Sequence, residues 1–327
     1  MDKSSFLKSQ LEEGLREHEV MRDHTTMHVG GVADFYFEAK TTDDIIKAVD
    51  AALEIQIPYV ILGIGSNVIF SDFGFPGLVI RNLTSNTAFM MEKSQVIVDS
   101  GVILQKLILD CVSHSLAGLE FMFGIPGTVG GAIYGDAGAN GQAIGDYVKS
   151  VTLLVPGEDG EKSKVEQYPA EWFEFSYRKT KLKAMAGYNK PVILSVKIQL
   201  AQSRQEEIMR RLNVWKNKRM NNYPTGFSAG SFFKNPVPAG FESMPTGRKN
   251  MPQLPKERTA GYMLEKSGAK KLHQGGARVS AKHANFIINT EDAKADDIRK
   301  LAEQMRDSVR NKFDITLEEE VEYVGQW

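Results

Sequence analysis

Apolar residues alternate between two periods along this chain, and the changes of period outline three folding units. From Thr42 the text reads as a helix, with Thr42 as cap, Asp43 and Asp44 at the positive end of its dipole, and Ile45, Ile46, Val49 and Leu53 on one face. Pro58 ends it. Tyr59-Val60-Ile61-Leu62 then reads as a short buried strand running into Gly63-Ile64-Gly65-Ser66-Asn67, followed by the apolar runs Val68-Ile69-Phe70 and Gly77-Leu78-Val79-Ile80. A second unit opens at Gln95-Val96-Ile97-Val98 and continues into a helix from about Val102 to Ser115, with Ile103, Leu107 and Cys111 at the four-residue step. Strands are expected at 150–155 and 192–200, where Val192, Leu194, Val196, Ile198 and Leu200 alternate onto one face. The third unit starts with a helix near 204–219, apolar at Ile208, Leu212 and Trp215. A proline-punctuated stretch follows, then a final helix over about 292–312 with Ile298, Leu301, Met305 and Val309, and a strand-like close at 315–324.

Between Gly124 and Gly145 the pattern breaks, because eight glycines stand in that interval. Each would cost up to about 1 kcal/mol in a regular element, so the segment is expected to be neither helix nor strand. Dense glycine lets backbone N–H groups converge on an anion with no Cβ in the way, and diphosphate is the usual beneficiary. The Walker pattern is absent, since no Lys-Ser/Thr pair closes a Gly-x-x-x-x-Gly, and Val68 stands where a Rossmann motif needs its third glycine. What remains is two glycine loops, 63–67 and 124–132, each at the edge of its own α/β unit. Such a pair suits a large two-phosphate cofactor held between subdomains. Read alone, the first is equally a tight strand-to-loop turn, and the second a surface loop were it not for Ile125, Val129 and Ile133 inside it.

The 327 residues suggest roughly two domains at about 150 residues each. Forty Lys and Arg against 41 Asp and Glu give no global field that would advertise nucleic acid or an anionic membrane. Cys111 is the sole cysteine and sits in an apolar run, so a buried structural thiol is expected and no disulfide. The N-terminal residues carry no secretory pattern and no apolar run approaches the ~18 residues of a membrane span, which reads as a soluble, cytoplasmic protein. His24 and His28 have the spacing of a helical metal site, but Gly30-Gly31 follows and no Glu lies between them, so no metal is assigned.

Five segments together resemble the UDP-N-acetylenolpyruvoylglucosamine reductase (MurB) family: Leu62-Gly63-Ile64-Gly65-Ser66-Asn67, Gly124-Ile125-Pro126-Gly127-Thr128-Val129-Gly130-Gly131, Tyr177-Arg178, Ser228-Ala229-Gly230-Ser231-Phe232-Phe233-Lys234-Asn235-Pro236 and Leu317-Glu318-Glu319-Glu320-Val321. The resemblance runs in the family's order from His24-Thr25-Thr26-Met27-His28-Val29-Gly30-Gly31 to the last strand. It implies an α+β protein: a two-subdomain FAD-binding fold of the FAD-linked oxidase (PCMH/VAO) type plus a C-terminal α/β substrate-binding domain. The implied boundaries are 1–84, 85–203 and 204–327, with the last strand, about 315–324, returning to the FAD-binding part. The implied reaction is reduction of UDP-N-acetylglucosamine enolpyruvate to UDP-N-acetylmuramate, in peptidoglycan synthesis. NADPH is the electron donor, FAD carries the hydride, and a serine supplies the proton. No nucleic acid, membrane or obligate protein partner is implied.

Carried over residue by residue, Ser231 matches the proton donor, Arg178 the arginine facing the substrate carboxylate, and Glu320 the glutamate that stabilises the enolate or delivers a proton. Leu62, Gly63, Gly65, Ser66 and Asn67 of the first loop match cofactor contacts, as do Gly124, Pro126, Gly127, Thr128, Gly130, Gly131, Ala132 and Gly138 of the second region. Tyr177, Arg178, Arg219, Lys234, Asn235 and His283 are the expected substrate contacts. On the residues alone, Ser231 reads first as a loop hydroxyl, Arg178 as solvated or phosphate-facing, and Glu320 is not separable from Glu318 and Glu319. Two departures stand out. Asp136-Ala137-Gly138-Ala139 replaces the family's usual Asn-Ala-Gly-Ala, which points to altered flavin affinity or potential. The stretch from Arg178 to Ser231 is short for the tyrosine-bearing lid of one subgroup, so closure is expected from domain motion. A related FAD oxidase acting on another alcohol or sugar is disfavoured because 63–71 lacks a flavin-tethering histidine; a non-catalytic binding module would not need Ser231, Arg178 and Glu320 together.

Overall fold

The computed structural model describes residues 2–139, 141–157, 161–236, 255–290 and 292–327. Among them the elements follow an α+β order, with eight α-helices and three principal sheets.

In the first unit, helix α1 (Lys3–Leu11) and helix α2 (Thr42–Glu54) pack on a four-stranded sheet ordered Leu15–Val20, Val32–Ala39, Phe75–Asn82, Tyr59–Leu62. The first pair is antiparallel and the other two are parallel. Thr41, not Thr42, caps α2: its hydroxyl accepts from Asp44 N at 3.1 Å while the Asp44 carboxylate accepts from Thr41 N at 2.8 Å. This reciprocal box, worth about 1 kcal/mol, leaves Thr42 as the first helical residue. The sequence reading missed α1 and the strand Leu15–Val20. The helix buries only Leu7 and Leu11, and every second strand residue is exposed, so neither carries a strong apolar stripe.

The second unit is an antiparallel sheet ordered Lys164–Pro169, Val148–Val155, Val192–Gln199, Gln95–Asp99, Thr87–Met90. Helix α3 (Leu104–Ser113) packs on it through Leu104, Leu107, Ile108, Cys111 and Val112, all buried. Contrary to the expectation from glycine density, Val129–Tyr134 forms helix α4, and 138–139 pairs with 142–143 as a short hairpin. Thr128 caps α4, its hydroxyl accepting from Gly131 N at 3.3 Å. Position 130, although helical, is glycine because a Cβ there would stand 2.8 Å from Ser100 Cβ. Close approach to the neighbouring segment, rather than loop conformation, explains this glycine.

Helix α5 (Lys181–Ala184) and helix α6 (Gln205–Asn222) lead into the third unit. There helix α7 (Ala260–Lys266) and helix α8 (Ala295–Phe313) cover the small sheet His273–Gln274, Ala277–Val279, Ile287–Asn289. The stripe Ile298, Leu301, Met305, Val309 is fully buried. The expected closing strand is much shorter than 315–324: only Glu322–Val324 is strand, pairing in parallel with Val68–Phe70 of the first unit. The preceding residues are drawn toward the third core, where Leu317 is buried and Glu319 bridges to Phe233. Asp72 of the first unit caps α8, its carboxylate accepting from Ala295 N at 2.9 Å and Asp296 N at 3.0 Å. No helix of the described residues is long and apolar enough to cross a membrane.

Candidate active site

All three units line one cavity of about 1,770 Å³, which is large enough for a dinucleotide and a second ligand together. Both glycine loops form its walls. The parallel strands Tyr59–Leu62 and Phe75–Asn82 deliver the first loop to the cavity, and its Ser66 hydroxyl donates to the Pro126 carbonyl of the second at 2.9 Å. A Cβ on Gly127 would meet nothing closer than 3.9 Å, and one on Gly131 nothing closer than 3.6 Å. No protein packing demands glycine at these two positions, and a side chain at either would enter the cavity. That is the form of a cradle into which a ligand backbone or phosphate must fit closely. Leu62, Gly63, Gly65, Ser66, Asn67, Gly124, Pro126, Thr128, Gly130, Ala132 and Gly138 line the same space.

Arg178 lines the cavity beside the end of the second glycine region, its backbone in the left-handed region at φ 58°. Its Nη1 donates to the Asp136 carbonyl at 3.0 Å, its Nη2 to the Gly138 carbonyl at 2.6 Å, and its Nε stands 2.6 Å from Glu320 Oε1. Burial works against its charge, but Glu320, Tyr177 and Asp136 outweigh that and hold its pKa above the usual arginine value. Asp136 is buried, at φ 45°, and its carboxylate accepts from Gly145 N at 3.1 Å.

Glu320 is fixed by its backbone, N–H to the Phe232 carbonyl at 2.8 Å and carbonyl from Asn67 Nδ2 at 3.0 Å. The first bond sets Glu320 beside the Ser231 loop. Ser231 follows Gly230, whose φ of 79° turns the chain at the cavity edge, and Phe232 N–H donates to the Asn285 carbonyl at 2.8 Å. Arg178, Ser231 and Glu320, separated by up to 142 residues in sequence, therefore line one wall region.

The expected substrate contacts divide. Tyr177, Asn235, Arg219 and His283 line the cavity. Tyr177 Oη accepts from Asn235 N at 3.2 Å, and Asn235 Oδ1 from Ala260 N at 3.0 Å. Arg219 lies along the second loop, Nε donating to the Phe123 carbonyl at 3.0 Å and guanidinium over the Tyr223 ring. The His283 ring stacks on Tyr223 and its pKa is lowered, first by burial and then by Lys270. Lys234 is elsewhere: it is absent from the cavity wall and its ammonium pairs with Glu318 at 2.5 Å. His24 pairs with Glu19 at 2.8 Å and His28 stacks on Phe227, so the two do not converge. Among the described residues no group of three or more His, Cys, Asp or Glu could hold a metal.

Sequence reasoning missed a second group on this wall, Tyr134, Lys183, Lys190 and Glu322. One signal was available, since Glu322 stands two residues after Glu320, the spacing that returns an extended chain to one face.

Comparison with known proteins supplies the family. Residues 222–324 match the family described as "UDP-N-acetylenolpyruvoylglucosamine reductase, C-terminal domain", and residues 33–163 match "FAD binding domain". The UDP-N-acetylenolpyruvoylglucosamine reductase of Anoxybacillus flavithermus is 32% identical over 95% of each chain, and that of Bacillus subtilis 33% identical over 94% of this chain and 93% of its own. The chain belongs to the UDP-N-acetylenolpyruvoylglucosamine reductase family. The crystal structure of the MurB reductase from Thermus caldophilus, 29% identical, superposes with a TM-score of 0.73 over 95% of this chain and 99% of that one. MurB reductases are FAD-dependent oxidoreductases of peptidoglycan precursor synthesis, and the α+β fold is the FAD-linked oxidase type with an added C-terminal domain.

Proposed function

We propose that this chain reduces UDP-N-acetylglucosamine enolpyruvate to UDP-N-acetylmuramate with NADPH as electron donor and Ser231 as proton donor. The observation that carries the reading is the meeting of Arg178, Glu320 and the Ser231 loop at a cavity walled by both glycine loops. The two loops, with the open faces of Gly127 and Gly131, fit an FAD diphosphate. When bound, FAD supplies the hydride chemistry that links NADPH to the enolpyruvyl double bond. In this reading the units 1–84 and 85–203 hold FAD and 204–327 holds the substrate, with Glu322–Val324 added back to the first.

Hydride addition to the double bond leaves carbanion character beside the substrate carboxylate. Arg178 has five N–H donors: one on each Nη is taken by the Asp136 and Gly138 carbonyls, Nε stands in ion-pair contact with Glu320 without donating to it, and the other Nη donors are offered to that carboxylate. Its backbone anchors keep the guanidinium in place as the charge develops, so no reorganisation is needed. Ser231 gives its hydroxyl proton to the adjacent carbon, and Glu320 orients Arg178 and serves the enolate or the proton from the other side. Tyr177, Asn235, Arg219 and His283 hold the nucleotide-sugar. Lys234, paired with Glu318, takes a structural place in this scheme.

The test is NADPH oxidation that depends on added UDP-N-acetylglucosamine enolpyruvate. Ser231→Ala should leave reduction of the flavin by NADPH intact and slow product formation by about 10²- to 10⁴-fold. Unchanged rates in both half-reactions would remove Ser231 as the acid, and colourless protein that does not take up FAD would remove the whole reading.

A further inference from the structure

The second wall group forms a ladder with the first. Arg178 pairs with Glu320 at 2.6 Å, and Lys183, five residues on, pairs with Glu322 at 2.7 Å. Lys190 completes it from the following loop, with Nζ 3.2 Å from Tyr134 Oη and 3.3 Å from the Lys183 carbonyl. Both of these partners are neutral oxygens. Glu322 thus engages Lys183 alone, and the half-buried Lys190 has only neutral partners at the cavity wall, where a partly desolvated cation is costly unless an anion completes it. Burial, and then the neighbouring Lys183, lower the Lys190 pKa, while burial and Glu322 raise that of Tyr134. Glu322 draws Lys190 the other way but is already engaged by Lys183.

Position indicates which anion. Tyr134 is the last residue of α4, about 4.5 Å along the axis from Gly131, and its side-chain oxygen carries the contact with Lys190 at that end. Both lysines gather at the C-terminal end of α4, whereas the cradle glycines stand in its N-terminal half. They lie beside Glu322, two residues beyond the glutamate at the reacting wall, and the carbonyl end of α4 disfavours a negative charge there unless a cation offsets it.

We propose that Lys190, steadied by Tyr134 and by the Lys183–Glu322 pair, is a positioning cation for the ring end of the flavin and stabilises the negative charge the ring gains on reduction. This rests on the flavin reading above. Hydride transfer from the dihydronicotinamide adds two electrons and one proton to the ring and leaves the nicotinamide oxidised, so one negative charge appears on the flavin. A cation at that edge favours the reduced form.

The experiment measures the midpoint potential of the holoenzyme by dye-equilibrated reduction, together with its affinity for sulfite, which adds its lone pair to the flavin and leaves the same charge on the ring. Lys190→Met should weaken the preference for the reduced form about tenfold, or about 30 mV for a two-electron couple, and weaken sulfite binding in parallel. FAD affinity should not change, and Lys190→Arg should restore the potential. Glu322→Gln should shift it in the opposite direction, to more positive values, which a purely structural role would not produce. An unchanged potential in yellow Lys190→Met and Glu322→Gln proteins overturns the proposal. So does a loss of FAD affinity at unchanged potential, which would assign the cation to a phosphate. Protein that binds no flavin, parent included, defeats the underlying reading instead.

Discussion

The two glycine loops meet at one cavity but lack Cβ atoms at key positions for different reasons. In the first, Gly65 has φ 67° and a Cβ would stand inside contact distance of the His24 carbonyl oxygen and 2.8 Å from Thr25 Cα, so the fold itself requires the glycine. In the second, Gly127 and Gly131 could accept a Cβ without touching the protein closely, and the requirement comes from whatever occupies the cavity. Gly65 therefore serves the scaffold while Gly127 and Gly131 fit the ligand, although as text the two motifs look alike.

Substitution can separate these roles. Gly65→Ala carries the largest expected effect on stability, about 3 kcal/mol or more from backbone strain plus overpacking, read as a lower midpoint in chemical denaturation with or without FAD. Tolerance of this alanine would break the contrast. Gly131→Ala should behave oppositely. Stability of the apoprotein stays level or rises by up to about 1 kcal/mol, because alanine suits a helix better than glycine, while FAD binding weakens at least tenfold in a fluorescence titration. The smallest signal comes from Cys111 on α3, whose thiol is pushed up to about 12 by burial in the core behind the second loop. In the parent and in Gly131→Ala it should resist alkylation at pH 8 and react fully once denatured. Rapid alkylation of native Gly131→Ala would mean that the second loop is scaffold after all.

Much of this architecture is legible in the residues. Tyr59–Leu62 follows from a continuous apolar run between Pro58 and Gly63, and the stripe Ile298, Leu301, Met305, Val309 from periodicity, since it buries one regular helix face. Helix α4 is not legible, because its two glycines lower helix propensity and the compensating features, the Thr128 cap and the close approach to Ser100, exist only in three dimensions. The site shows the same division. Arg178, Ser231 and Glu320 could be singled out only through a family pattern, since as single residues each has an ordinary surface reading. Lys183 and Glu322 meet across 139 positions of sequence, and no local pattern joins them. Lys234 had the right neighbours in the text, yet the Glu318 carboxylate turns its ammonium away from the cavity.

The parallel pairing of Glu322–Val324 with Val68–Phe70 has a consequence for biosynthesis. A nascent chain can assemble its first sheet early in translation, but Val68–Phe70 stays without its parallel partner until residues 322–324 are made. Glu320 arrives by the same late segment, so a chain stopped before it leaves the buried Arg178 guanidinium without the carboxylate that offsets its charge.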